Sequence, residues 1–518
     1  MLWHLNRTTR DINKNLFHMK TPGKCFLLAI SLVIFVGCVS VQENNWPKFR
    51  GTNSLGIAPE SATPPIELNP DKNLSWKTSI ASGVSSPCVY KNMIFITGFD
   101  KEKNALITYC IDFVKGSVLW QNLVSPDSIE QGHSIGSPAA STPATDGKAV
   151  YVYFGSYGAL CYDLSGKLLW EHKLPVISAM YGTCGSPIII DSLMLINRVG
   201  YVNPSLLAIN KKNGKTVWEH FLPLRTDIQK MYSVSHSTPI IWHDQVILHR
   251  AFELTALFLK DGSEAWSVGV VSTGVGTPVI VNDTLYLNGF LNMGESRLFD
   301  ELPDFNTMLL QHDINGDKLI NVTEIPSDWA FYRRPELNLP LGYDVFYPIR
   351  QLAISYDTSG DKAFSREEWE NLREFQSSCK LEHGTIALKL EDSIGTTKPS
   401  VIWKQKGNVS EVPSLLVTDN RVYMIMDGGT LSCFKTGTGD LVFRDRINAP
   451  GPYLASPLYA NGYFYLIGYN GKITVMKPGD KLNIVSRSDL KERVAASPVA
   501  LSNLMLVRTE NALYAFKN

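Results

Sequence analysis

Neither sign of charge is in excess: 49 Lys and Arg stand against 49 Asp and Glu, and no long basic run occurs. No nucleic-acid partner is therefore expected, because such partners are met by a basic stripe or patch. Serine-hydrolase chemistry is also missing its setting. Gly132-His133-Ser134-Ile135-Gly136 spells the nucleophile-elbow pattern, but Pro138 and Pro143 follow where the helix of that elbow would have to run. His236 and His383 have no metal-ligand spacing and read as ordinary polar positions near turns. What is present is size. A chain of 518 residues with 44% hydrophobic composition can bury a large core, as one big repeat domain or as two to three ordinary ones.

The N-terminus reads as an export signal. A short cationic stretch from Met19 to Lys24 precedes the apolar run Cys25 to Gly37, and Met19 is an alternative start. Phe35-Val36-Gly37-Cys38 resembles a bacterial lipobox, with Phe where Leu is usual, so lipidation at Cys38 is expected; a plain signal or a single membrane anchor is the alternative. The protein is therefore expected outside the cytoplasm, lipid-anchored in a bacterial envelope, at the outer membrane facing the periplasm or the cell surface. Six further cysteines remain: Cys88, Cys110, Cys161, Cys184, Cys379 and Cys433.

Internal repeats set the fold class. A Ser/Thr-Pro pair followed by an alternating apolar run recurs at Ser86, Thr142, Ser186, Thr238, Thr277, Ser456 and Ser497, with Val412-Pro413-Ser414 as a degenerate eighth. Away from one long gap the spacing is about 40 to 55 residues, the length of a four-stranded propeller blade. Each unit ends with a Gly four positions before an aromatic, as in Gly116 and Trp120, Gly166 and Trp170, Gly214 and Trp218, Gly262 and Trp266, and Gly439 and Phe443. A tight turn would feed a last strand whose aromatic packs between neighbours. The final unit has room for three strands, whereas Leu74-Ser75-Trp76-Lys77-Thr78 is an orphan, so the two should join and close an eight-bladed ring.

The repeats resemble those of the pyrroloquinoline-quinone-like (PQQ-like) propeller family. Ala208-Ile209-Asn210 with Gly214 and Trp218 matches its consensus, Cys110-Ile111-Asp112 with Gly116 and Trp120 does so loosely, and the opening from Asn45, NWPKFRGTNSLG, is similar to exported bacterial members. Cys110, Cys161 and Cys433 stand in the slot of Ala208, Ala256, Ala387 and Ala515, so they are expected as small buried hydrophobes. Pairing among Cys88, Cys184 and Cys379 stays open. The resemblance implies that an enzyme of this family would carry the quinone in the propeller mouth with adjacent cysteines; no Cys-Cys pair and no haem motif is present, so catalysis with that cofactor is not expected. It also implies kinship with the lipoprotein propeller of the outer-membrane assembly machine.

The long gap, residues 294–382, falls between the second and third strands of blade five and should overhang the mouth. Val345, Phe346, Ile349, Leu352, Ala353 and Tyr356 step at helical spacing before Asp357, and Trp369, Leu372 and Phe375 do so after Glu368. Between such helices lie two twelve-residue loops of the EF-hand plan. The first offers Asp313, Asn315, Asp317, the Leu319 carbonyl, Asn321 and Glu324; the second Asp357, Ser359, Asp361, the Ala363 carbonyl, Ser365 and Glu368. Hard oxygens at that spacing suit calcium. Lys318 and Lys362 replace the usual Gly at position six, and Pro326 should shorten the first exit helix, so weak affinity is expected.

The expected architecture is all-β, an eight-bladed propeller with a small helical EF-hand pair inserted in blade five. Its parts are a signal (1–38), a linker and closing strand (39–80), blades one to five in first part (81–293), the insert (294–382) and the remaining blades (383–518). The expected function is a noncatalytic, monomeric scaffold that binds an envelope protein and calcium. A PQQ-dependent oxidoreductase and a calcium-dependent binder of extracellular polymer are the alternatives.

Overall fold

The structure, a computed structural model, describes residues 44–223, 235–291, 297–298, 301–332, 346–378, 382–391 and 396–518. The signal, Cys38, Val345 and Cys379 lie outside the described residues. Eight antiparallel sheets follow one another along the chain. Blade 1 runs Cys88–Tyr90, Met93–Asp100, Ala105–Asp112 and Val118–Val124, and the pattern repeats to blade 8, which ends with Val499–Leu501, Leu504–Arg508 and Ala512–Lys517. Leu74–Ser79 supplies the outermost strand of blade 8, with Trp76 opposite Ala515. The ring therefore closes with strands from both ends of the described chain, as expected.

The repeated residues each have one physical task. A Cβ at Gly116 would meet the Trp76 ring at 2.5 Å, and Gly166, Gly214, Gly262 and Gly439 lie in the same way under Trp120, Trp170, Trp218 and Trp403. Each of these glycines has φ between 71° and 92°, so it serves both the turn and the close approach of the preceding blade's indole. The slot opposite the aromatic must be small: Ala208 faces Trp218, and Cys110, Cys161 and Cys433 face Trp120, Trp170 and Phe443. Those three cysteines are buried and free, and Cys88 and Cys184 are free as well. Burial pushes the Cys110 and Cys161 thiols up to about 12, which keeps them inert.

The Ser/Thr of the repeat explains itself. The Ser86 N–H donates to Thr142 Oγ1, Thr142 to Ser186, Ser186 to Thr238 and Thr238 to Thr277, all at 2.9 to 3.1 Å. Ser414 donates to Ser456, Ser456 to Ser497, and Ser497 back to Ser86 at 3.0 to 3.1 Å. Ser414, with Leu415 in the place of Pro, is thus the residue of the degenerate unit that holds the repeat position. A second belt lies beside the first. The buried side chains of Thr97, Asn197, His249, Asn288 and Arg508 donate to the carbonyls of Ser141, Ser237, Gly276, Pro413 and Ser85, each on the following blade.

The opening segment is more than a linker. Asn45–Trp46 pairs with the innermost strand of blade 1, and the Pro47 carbonyl accepts from Thr145 N of blade 2. Arg50 Nη2 reaches the Leu415 carbonyl of blade 6 at 2.7 Å, and Gly56 and Ala58 bond to Tyr459 of blade 7. Thr63 N donates to Ser502 O of blade 8. One segment thereby ties inner strands from across the ring and plugs the channel end opposite the Ser/Thr-Pro starts.

Candidate metal centre

Thr284–Gly289 and Gly384–Lys389 are neighbouring strands of blade five, with Gly289 opposite Gly384. The insert therefore leaves the propeller at the end where Thr277-Pro278 enters. It has a hydrophobic core of its own, including Phe305, Met308, Ile320, Phe331, Phe364 and Trp369. Among the described residues three α-helices serve it: α1 (Phe305–His312), α2 (Ile349–Ala353) and α3 (Arg366–Ser378). Asp304 caps α1 by accepting from the Asn306 and Thr307 amides at 3.0 and 3.1 Å.

The helical expectation at Phe346 is corrected. Phe346–Pro348 forms a strand with Ala330–Tyr332, which also pairs with Arg297–Leu298. Pro348 disfavours helix at the residue before it, so α2 starts only at Ile349 and gives way to a 3₁₀ turn at Ile354–Tyr356. The exit from the first loop is one 3₁₀ turn, Val322–Glu324, and Pro326 follows it as expected.

The two loops are built alike. Asp313 accepts from the Gly316 and Lys318 amides at 2.7 and 3.1 Å; Asp357 accepts from Gly360 and Lys362 at 2.6 and 2.8 Å. Lys318 and Lys362 have φ of 63° and 65°, the left-handed turn required at position six. Asp317 and Asp361 accept from the amides of Leu319 and Ala363, both at 2.8 Å. Asn315 and Asn321 each donate to Asp317 Oδ2, and Ser359 donates to Asp357. The buried Glu324 spans its loop, with Oε1 on Ile314 N and Oε2 on Asn321 N, both at 2.8 Å. Glu368 repeats this with Thr358 and Ser359 on one oxygen and Ser365 on the other. Burial would raise the Glu368 carboxyl, but the Ser365 and Thr358 bonds outweigh it and bring it down to about 2. The loops meet back to back as a two-residue bridge, Ile320 opposite Phe364 and Asn321 opposite Ala363. An open pocket of about 270 Å³ lies over the second loop, lined by Thr358, Ser359, Asp361, Ser365 and Glu368 with Leu319 from the first.

Every expected ligand residue therefore falls within one of two compact loops, and the donor set is all oxygen. Among the described residues no three His, Cys, Asp or Glu side chains gather as a ready cluster. The loop carboxylates engage their own amides, and Asn and Ser fill positions where acids would add charge.

Sequence reasoning missed polar groups elsewhere. Glu130, 6% exposed, accepts from the Thr183 amide and hydroxyl at 3.2 and 2.8 Å on one oxygen, while its other oxygen has no partner among the described residues. Burial pushes its carboxyl up to about 7 against those two bonds. Tyr153 holds the register of the second belt in blade 2, with its buried hydroxyl beside Arg198 and Thr183. His236 is buried against Tyr181, and His383 Nδ1 accepts from Leu291 N, so both are packing positions. Residues 132–136 form a turn with no helix after it.

A family model described as outer membrane protein assembly factor BamB matches residues 66–176 and 103–293, which bears out the repeat resemblance over less than half of the chain. Among solved structures, BamB from Moraxella catarrhalis is 12% identical, covering 86% of this chain and 100% of that one at a TM-score of 0.49. Quinohemoprotein alcohol dehydrogenase from Comamonas testosteroni is 10% identical, covering 92% of this chain and 80% of that one at 0.51. A europium-containing methanol dehydrogenase is 11% identical, with 92% and 98% covered, also at 0.51. At such identities the likeness is one of fold alone. No curated protein sequence matches the chain.

Proposed function

We propose that this eight-bladed propeller of PQQ-like repeats is an exported, noncatalytic scaffold, lipid-anchored through Cys38, that binds a protein partner in the bacterial envelope and calcium in its paired loops. The partner half of the reading is supported by the match to a family described as an outer membrane protein assembly factor. The calcium half rests on one observation: two loops set six oxygen-bearing positions each in the same order, joined by the bridge between Ile320 and Phe364. Weak calcium affinity fits, since each loop offers three carboxylates at its ligand positions and carries a Lys at its left-handed turn. The test is purification of the acylated protein from solubilised envelope with calcium or with chelator. A stoichiometric envelope protein in the calcium preparation supports the reading. Dye reduction after loading with the quinone would replace it with an oxidoreductase.

A further inference from the structure

The first and third strands of a blade run away from its Ser/Thr-Pro start, so the turns that follow them lie at the plugged end of the ring. On blades 1 to 3, six lysines stand exposed in these turns: Lys91, Lys115, Lys148, Lys167, Lys212 and Lys215. Of the four acids there, only Asp191 is exposed. Asp112 accepts from the Val114 and Lys115 amides at 2.9 and 2.7 Å, and Asp163 from those of Ser165 and Lys167, both at 2.9 Å. Asp146 accepts from Lys148 N and pairs with Lys211 at 2.9 Å. The outer strands of the same blades open from these turns with aliphatic residues. Val118, Leu119, Leu168, Leu169 and Val217 are each 42% to 52% exposed. Blade 6 carries Leu441 at the same place, but its rim cations are matched: Arg421 pairs with Asp480, and Lys435 with Asp440 at 3.6 Å.

Aliphatic residues scattered singly on a surface are ordinary. Here they recur on three consecutive blades beside a surplus of positive charge, the pairing by which a surface meets anionic lipid: lysines reach the headgroups while apolar side chains lie at the acyl boundary. The opening segment starts at the same rim. Asn44 O accepts from Lys91 N at 2.7 Å, and Asn44 Oδ1 accepts from Ser502 Oγ at 2.6 Å. Asn44 stands six positions after Cys38, which is about 22 Å at most along an extended chain. A lipid on Cys38 would therefore keep this rim close to a bilayer. We infer that the plugged end of blades 1 to 3 is a docking surface for an anionic phospholipid bilayer. The inference rests on the proposed anchor for its strength but on the lysines and aliphatic residues for its direction. The insert leaves blade five at the other end, away from the lipid.

The test is amine-reactive footprinting, read by mass spectrometry, of the full chain isolated from the envelope, in detergent and on vesicles. On vesicles of phosphatidylglycerol and phosphatidylcholine in equal parts, Lys115, Lys167, Lys212 and Lys215 should label at least threefold more slowly than in detergent. Lys101 and Lys103, at the opposite end, should keep their rates. Vesicles of phosphatidylcholine alone, or salt of about 0.5 M, should remove most of the protection. Lys115→Glu with Lys167→Glu and Lys212→Glu alters only exposed turn positions, so this variant should fold and float with vesicles yet lose the protection at Lys215. Flotation of the Cys38→Ser chain judges the anchor separately: if it floats as the unaltered chain does, the anchor reading fails while the footprint still decides this face. Equal labelling in detergent and on anionic vesicles overturns the proposal, and so does undiminished protection on neutral vesicles or in the triple variant. Protection confined to native envelope fragments also overturns it, and would assign the face to an acidic protein instead.

Discussion

Ser497 and Ser86, 411 positions apart, meet across the last blade junction, where the Ser497 N–H donates to Ser86 Oγ at 3.0 Å. The same hydroxyl group that closes the seam belongs to a residue whose own N–H donates to Thr142. Ser86, Thr142, Ser186, Thr238, Ser456 and Ser497 are thus each both donor and acceptor between blades, whereas Thr277 accepts and Ser414 donates.

Ser86→Ala should leave the Ser497 amide buried without an acceptor and cost about 1 to 3 kcal/mol, while Ser86→Thr should restore most of it. Urea melts of the two variants measure the difference. Equal losses would mean that side-chain volume, not the hydroxyl, matters at this position.

A glycine pair separates backbone strain from indole packing. Gly116 and Gly462 have φ of 71° and 77°, but an added Cβ meets Trp76 at the first and nothing within 4 Å at the second. Gly462→Ala should cost about 1 to 2 kcal/mol from the left-handed conformation alone. Gly116→Ala should cost about 1 to 3 kcal/mol more, because the closing strand must move. Equal melting shifts would show that Trp76 yields without cost.

Much of this was legible because one chemical pattern is written eight times. The Gly and Trp spacing, the small slot opposite the indole and the strand completing blade 8 all follow from local sequence. The plug was not legible: Arg50, Gly56 and Thr63 find partners at Leu415, Tyr459 and Ser502, distant contacts that periodicity does not encode. Nor was the strand Phe346–Pro348, whose apolar residues step like a helix until Pro348 interrupts. For the loops, order and spacing were readable, and so was the left-handed turn at Lys318 and Lys362. The deep burial of Glu130 was not, since it depends on Thr183 and on Gly155, whose missing side chain leaves room for both.

Glu130 makes a pH prediction. Its folded carboxyl is raised from 4.5 to about 7, so the folded state keeps a proton that the unfolded state loses. The associated stability is complete below about pH 4.5 and is lost as pH rises towards 7, by roughly 3 kcal/mol in order of magnitude. Glu130→Gln cannot ionise and should melt like the unaltered chain at pH 5 but higher at pH 8. A variant that melts lower at both values would show that Thr183 needs the carboxylate itself.

The last prediction concerns the insert, whose core lies apart from the indole packing of the blades. Trp369 is fully buried in that core, donates through Nε1 to Pro303 O at 2.9 Å and directly follows Glu368, so metal drawn into the second loop should alter its emission. Trp329 packs edge-on against His312 at the end of α1, beside the first loop. Calcium at sub-millimolar to millimolar levels should therefore change emission, and Glu324→Gln with Glu368→Gln should abolish the response. At a hundredfold excess over Kd, linkage adds about 2.7 kcal/mol per site, and it should act on the insert's transition alone. The propeller transition should barely move in the double variant, because its belts, indoles and plug contain no residue of either loop. No calcium heat at millimolar concentration would leave the loops as shape without metal. Loss of the whole ring in the double variant would instead show that blade five needs its insert, and that the packing of blade five on blade six is held from outside the propeller.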